Sequence, residues 1–226
     1  MELPEIVDQA DWDRDREELL TREKAHTRDA DALAAARRRL PLVEVSSDYE
    51  FEGPGGRVRL PDLFEGRSQL ILYHFWHPPE GEGEPCSGCS MFADQVSELA
   101  HLHARDTTFA LVSTAPQPQL RAFRERMGWQ MPWYTPVGTS FQEARDTREY
   151  FKLDVYLRDG DRVFLAYETR GRGVEALGSV WSFLDLTPFG RQEEWEDSPP
   201  GRPQGPRYEW WRYHDSYDGA TAPSAR

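Results

Sequence analysis

The 226-residue chain has two cysteines, and they stand together in the stretch Pro85-Cys86-Ser87-Gly88-Cys89-Ser90. A C-x-x-C pair puts two sulfurs one turn apart, which suits three readings. As a dithiol, an ionised Cys86 attacks a disulfide or peroxide, and Cys89 resolves the intermediate by closing the Cys86–Cys89 disulfide. As half of a metal site, Cys86 and Cys89 join His74 and His77 just upstream; two thiolates and two imidazoles suit copper as Cu(I), or zinc. On a regular strand His74 and His77 face opposite ways, so that site requires His77 to lie in the loop opened by Pro78. The third reading is a non-catalytic interaction module, indifferent to redox state and metal.

The elements that must position the pair follow from periodicity. SQLILYHFW is a continuous apolar run, the mark of a central strand covered on both faces. The loop HPPEGEGEP follows, and SMFADQVSELAHLHAR then has helical spacing at Met91, Phe92, Val96, Leu99 and Leu102. The cysteines therefore fall at the first turn of a helix leaving a central strand. Unpaired N–H groups and the helix dipole favour a thiolate there. Glu80, Glu82 and Glu84 in the loop oppose it by like charge.

Further along, TTFALVSTA is a second buried strand, QPQLRAFRERMG an amphipathic helix closed by Gly128, and residues 132–137 a short strand. DVYLRDGDRVFLAYET turns at Asp159-Gly160 as a hairpin, and GVEALGSVWSFLDL closes the fold as a helix. Upstream, residues 5–40 read as a helix capped at Asp11 or Asp13 and stopped by Pro41, and a hairpin turns about Gly53 to Gly56. The order implies an α/β layer fold with a mixed sheet. Three segments are expected: an N-terminal helical extension (1–40), the domain (41–190) and a C-terminal extension (191–226). In the last, RQEEWEDSPPGRPQGP reads as a linker, and the aromatic cluster Trp210, Trp211 and Tyr213 is expected to dock near the site or at a homodimer contact.

The balance of 27 basic against 40 acidic residues, net −13, argues against nucleic acid and anionic membrane surfaces as partners. No basic n-region precedes an apolar run at the N-terminus, and no stretch reaches the ~18 apolar residues of a membrane span. The expectation is a cytoplasmic protein whose cysteines are kept reduced.

ILYHFWH resembles the thioredoxin strand that runs apolar, apolar, apolar, Asp, Phe, Trp, Ala before its C-x-x-C. That resemblance puts His74 where thioredoxins hold a buried carboxylate that exchanges a proton with the resolving cysteine. The wider pattern, YHFWH, PCSGCSMFAD, RMGWQMPWY, RDGDRVF and LDLTPFGRQEEW, resembles the family catalogued as domain of unknown function 899, predicted dithiol-disulfide oxidoreductases. It covers most of residues 40–200 and implies a thioredoxin-like fold, a mixed central sheet flanked by helices. Thioredoxins also carry a cis-proline facing the dithiol; EYFKLDVYLRDG has none, and Pro132 stands one element earlier.

The leading expectation is a thiol-disulfide oxidoreductase with Cys86, Cys89 and His74 catalytic and no cofactor. Trp76, Trp133 and Pro132 are its substrate-binding candidates, for a disulfide, a peroxide or a small aromatic compound. Trp129, Trp133, Tyr134, Trp210, Trp211 and Tyr213 either line a cleft or pack, and Arg121, Arg124 and Arg126 form a solvated helix face. The alternative is a copper or zinc protein using Cys86, Cys89, His74 and His77.

Overall fold

Residues 3–78, 83–147 and 151–217 are described by the computed structural model of the chain. Helix α1 (Gln9–Arg37) starts earlier than its charges suggest. Asp8, not Asp11 or Asp13, is the cap: its carboxylate accepts the Asp11 N–H at 2.9 Å. The helix buries no side chain and is held by pairs on its own surface, such as Arg14 with Asp11 and Arg16 with Glu23. Strand β1 (Val43–Val45) follows, then the hairpin of β2 (Glu50–Gly53) and β3 (Gly56–Arg59), with Gly53 opposite Gly56. Gly56 has φ +112°, which a side chain at the turn would resist.

Next come β4 (Gln69–His74), α2 (Ser87–Ala93), α3 (Ala100–His103), β5 (Thr107–Val112), α4 (Gln117–Met127) and β6 (Trp133–Pro136). The chain continues through α5 (Ser140–Arg145), the hairpin of β7 (Lys152–Asp159) and β8 (Arg162–Arg170), α6 (Arg172–Glu175) and α7 (Ser179–Leu184). Eight strands form one sheet in the order β1-β8-β7-β4-β5-β6-β2-β3. β4 lies in the middle, parallel to β5 and antiparallel to β7, so both its edges are paired. Strand, dithiol, helix, parallel strand and antiparallel hairpin make this a thioredoxin-like α/β fold. Among the described residues no helix is long and apolar enough to cross a membrane.

The sheet separates two cores. Leu70 and Leu72 point to one, with Phe51, Phe64 and Phe141. Ile71 and Tyr73 point to the other, with Cys89, Phe92, Trp133 and Trp181. This period of two decides which residues of β4 meet the cysteines.

Three expected segments differ. The helix expected beyond the cysteines breaks into α2 and α3, because side chains take over the backbone's bonds between them. The Gln95 amide donates to Met91 O at 2.8 Å and accepts the Val180 N–H at 2.6 Å, and Asp94 accepts from the Trp129 indole at 2.8 Å. The closing helix is likewise split into α6 and α7 at Gly178, where a Cβ would stand 2.2 Å from the Trp181 ring. The expected linker packs: Arg191 and Glu193 are buried. Glu193 accepts from the Trp210 indole at 2.8 Å, the Tyr208 N–H at 3.0 Å and the Trp195 indole, so a charged residue is satisfied without water.

Candidate active site

β4 ends at His74, and the chain returns from the loop to place Cys86 as the N-cap of α2. The Cys86 Sγ accepts the Cys89 N–H at 3.1 Å. Cys86 is half-buried, Cys89 is 1% exposed, and neither is in a disulfide. The neighbouring Cys89 thiol, with the Cys89 and Gly88 N–H groups, outweighs burial and lowers the Cys86 pKa to about 7. Cys89 moves the other way. Burial, donation to Cys86 and the Cys86 charge push its thiol well above the ordinary range, while the Tyr73 hydroxyl and the Trp76 N–H pull it down.

Tyr73, which the sequence reading did not select, is therefore the polar side chain of β4 that meets the resolving position. It packs in the same core as Cys89, and burial, followed by its interaction with Cys89 and the charge of Cys86, raises its own pKa well above 10. His74 is one residue on, so it points to the opposite core. There it stacks on Phe141 at 5.7 Å, and its Nε2 lies 2.9 Å from Asp154 Oδ2. The expectation that His74 exchanges a proton with Cys89 fails on this geometry, because a one-residue shift on a strand reverses the face.

His74 instead belongs to a buried ionic cluster. Lys152, Asp154 and Tyr156 alternate along β7 toward the same core, directly across from His74, Leu72 and Leu70. Asp154 is fully buried and takes Arg145 through two bonds of 2.9 and 3.1 Å and the Tyr156 hydroxyl at 2.9 Å. Lys152 Nζ is 3.4 Å from Asp154 and 2.6 Å from Glu168. Burial alone would raise the Asp154 pKa, but the bonds from His74 and Arg145 hold it well below the usual carboxylate range. Lysine, aspartate and tyrosine at every second position of a strand were the signal of this cluster available in the sequence.

The other selected residues divide. The Trp76 carbonyl accepts the Cys86 N–H at 3.2 Å, and its residue is 40% exposed beside the site. Trp133 is 1% exposed, with its ring 4.8 Å from Phe75 and 5.9 Å from Trp129, which makes it core and not a substrate contact. Pro132 stands just before β6, its carbonyl accepting the Leu111 N–H at 2.9 Å, and all described peptide bonds are trans. His77 Nδ1 is 2.8 Å from the Pro78 carbonyl oxygen. The four residues of the copper or zinc set are not brought together, since His74 faces away from both sulfurs, and among the described residues no group of three His, Cys, Asp or Glu is placed to hold a metal ion. Glu80 and Glu82 lie outside the described residues; Glu84 is exposed.

The aromatic tail does dock on this site. Trp211 packs its ring on the first turn of α2, where a Cβ at Gly88 would stand 2.5 Å from it, and meets Trp181 edge-on at 5.5 Å. The Tyr213 hydroxyl donates to the Pro85 carbonyl, next to Cys86. Arg126, expected to be only solvated, holds Asp215 through bonds of 2.8 and 2.9 Å and lies over the Tyr213 ring at 4.9 Å. His214 Nδ1 is 2.8 Å from Asp94.

The chain belongs to the DUF899 family, described as bacterial protein of unknown function, with the match running over residues 1–217. Among curated proteins none matches the sequence. Solved structures with similar chains include the exposed lipoprotein thioredoxin of Streptococcus pneumoniae (16% identity, TM-score 0.40, covering 57% of this chain and 98% of that one). Others are the peroxidoxin BcpB of Mycobacterium tuberculosis (18%, 0.43, 58% and 85%) and a thioredoxin of Wuchereria bancrofti (16%, 0.39, 64% and 100%).

Proposed function

We propose that this member of the DUF899 family is a thiol-disulfide oxidoreductase in which Cys86 attacks and Cys89 resolves. The observation that carries the reading is the arrangement of the two sulfurs. Cys86 caps a helix with its Sγ on the Cys89 N–H, and Cys89 is buried one turn below it, against Tyr73.

The arrangement orders the steps. At pH 7 a large share of Cys86 is thiolate, while Cys89 stays protonated because Cys86 itself raises its pKa. Attack on R–S–S–R forms the Cys86–S–S–R bond and expels one thiolate, RS⁻. The Cys86 charge is then gone, and with it two of the three causes that held the Cys89 proton. The donors left at Cys89, Tyr73 O–H and Trp76 N–H, favour its thiolate. Cys89 gives up its proton, attacks the Cys86 sulfur and expels the second RS⁻. Two electrons pass from the dithiol to the substrate, which leaves as two thiols. With a hydroperoxide, Cys86 becomes a sulfenic acid as the alcohol leaves, and Cys89 condenses with it, releasing water. A donor dithiol must return the two electrons, and a reducing compartment such as the cytoplasm would keep the pair in its working state.

The test is a thiol count on the full chain before and after addition of hydroxyethyl disulfide. Loss of both thiols, with an intramolecular disulfide in the peptide map, supports the proposal. Retention of both thiols at equilibrium with excess disulfide contradicts it.

A further inference from the structure

The surroundings of Cys86 bear on what it can attack, and this inference rests on the dithiol reading just given. A protein disulfide has to bring backbone and flanking side chains against the residues on either side of the nucleophilic sulfur. Here those residues are partly covered by the chain's own C-terminal segment. Trp211 lies on Gly88, between the two cysteines, and Tyr213 bonds the Pro85 carbonyl immediately before Cys86. The segment is tied at several places: Asp215 to Arg126, His214 to Asp94, Trp210 to Glu193 and Tyr208 to Glu175.

Cys86 itself is half-buried, which leaves its sulfur within reach of a small molecule. The nearby cleft of about 130 Å³, lined by His74, Trp76, His77, Ser113, Gln142 and Thr147, includes neither cysteine, so the restriction on Cys86 is set by the C-terminal segment.

We infer that residues 208–217 form a strap that restricts the dithiol to low-molecular-weight substrates, small disulfides or hydroperoxides, and shuts out disulfides carried by folded proteins. The electron balance is that given above, with two electrons and two protons passing to each small disulfide or peroxide.

The experiment compares the reduced full chain on three probes, hydroxyethyl disulfide, cumene hydroperoxide and insulin, following thiol loss for the first two and insulin precipitation for the third. The wild type should consume at least one of the small probes and leave insulin at its uncatalysed rate. Trp211→Ala and Tyr213→Phe should speed insulin reduction, the latter by roughly fivefold, as expected when one net hydrogen bond is lost from an opening equilibrium. Should Trp211→Ala fail to fold, Asp215→Asn, which removes an exposed pair remote from the sulfurs, should still give roughly a threefold rise in the insulin rate with the small-probe rate unchanged. Insulin reduced by the wild type as readily as the small probes, or no response to any strap variant, overturns this inference and leaves the dithiol reading standing. A chain inert toward all three probes overturns both.

Discussion

Tyr73 and Cys89 lie in the same core, and the phenol acts to lower the pKa of the resolving thiol; it stands one residue before the position at which a thioredoxin-like register would place the proton-exchanging group. The polar group nearest the resolving cysteine on this strand is thus a phenol held well above its ordinary pKa. It stays protonated and stabilises the Cys89 thiolate by donation, without taking its proton.

Tyr73→Phe keeps the packing and removes that donor. A hydrogen bond to a charged group contributes about 1.5–3 kcal/mol, so closure of the Cys86–Cys89 disulfide should slow by at least about tenfold, the factor that ~1.4 kcal/mol makes. The first attack by Cys86 should change far less. Stopped-flow traces with hydroxyethyl disulfide separate the two phases; equal slowing of both contradicts the assignment.

The His74–Asp154–Arg145 cluster is assigned to stability. Asp154→Ala leaves Arg145 and Lys152 buried without their shared carboxylate and should cost about 3–5 kcal/mol, read from urea melts. His74→Ala should lower stability while leaving both thiol phases intact, the reverse of what a proton-exchange role requires. The folded Asp154 pKa is depressed, so its contribution is present above the ordinary carboxylate range and is lost as pH falls toward the folded value. Acid unfolding should therefore shift to higher pH in Arg145→Met.

Alkylation of Cys86 should follow a titration centred near pH 7. The first cause of that lowered value is the bond from the Cys89 thiol, so Cys89→Ala should move the midpoint up toward the ordinary thiol value near 9. The sign for stability is the usual one for a depressed group: the thiolate's contribution is complete above pH 9 and is lost as pH falls through 7. An unchanged midpoint in Cys89→Ala would show that the N–H groups alone set it.

Gly88→Ala tests the docking of the tail. Alanine in a helix normally gains about 0.5–1 kcal/mol over glycine. Here its Cβ would meet the Trp211 ring at 2.5 Å, so the substitution should lower Tm and change tryptophan fluorescence instead. A raised Tm with an unaltered spectrum would place Trp211 elsewhere.

What was legible in the sequence was local. The continuous apolar run, the loop and the helical spacing after it located Cys86 and Cys89 at a strand-to-helix junction, and Asp159-Gly160 located the β7–β8 hairpin. The face on which a β4 residue lands was not legible, because in a strand buried on both sides Tyr73 and His74 are equally plausible interior polar groups. Their partners decide it, and Asp154 lies 80 residues from His74. The aromatic tail announced its docking by composition. Its anchors did not, since Glu193 and Arg126 resemble surface charge until the Trp210 indole and Asp215 are brought to them.

The division of labour between the two sulfurs is tested most directly by trapping. Cys89→Ser, reduced and mixed with hydroxyethyl disulfide, should accumulate one covalent adduct per chain, mapped by mass spectrometry to Cys86. Cys86→Ser should remain unmodified over the same interval, because Cys89 is buried and its pKa raised. An adduct on Cys89 in Cys86→Ser at a rate matching that of Cys86 in Cys89→Ser would contradict the account.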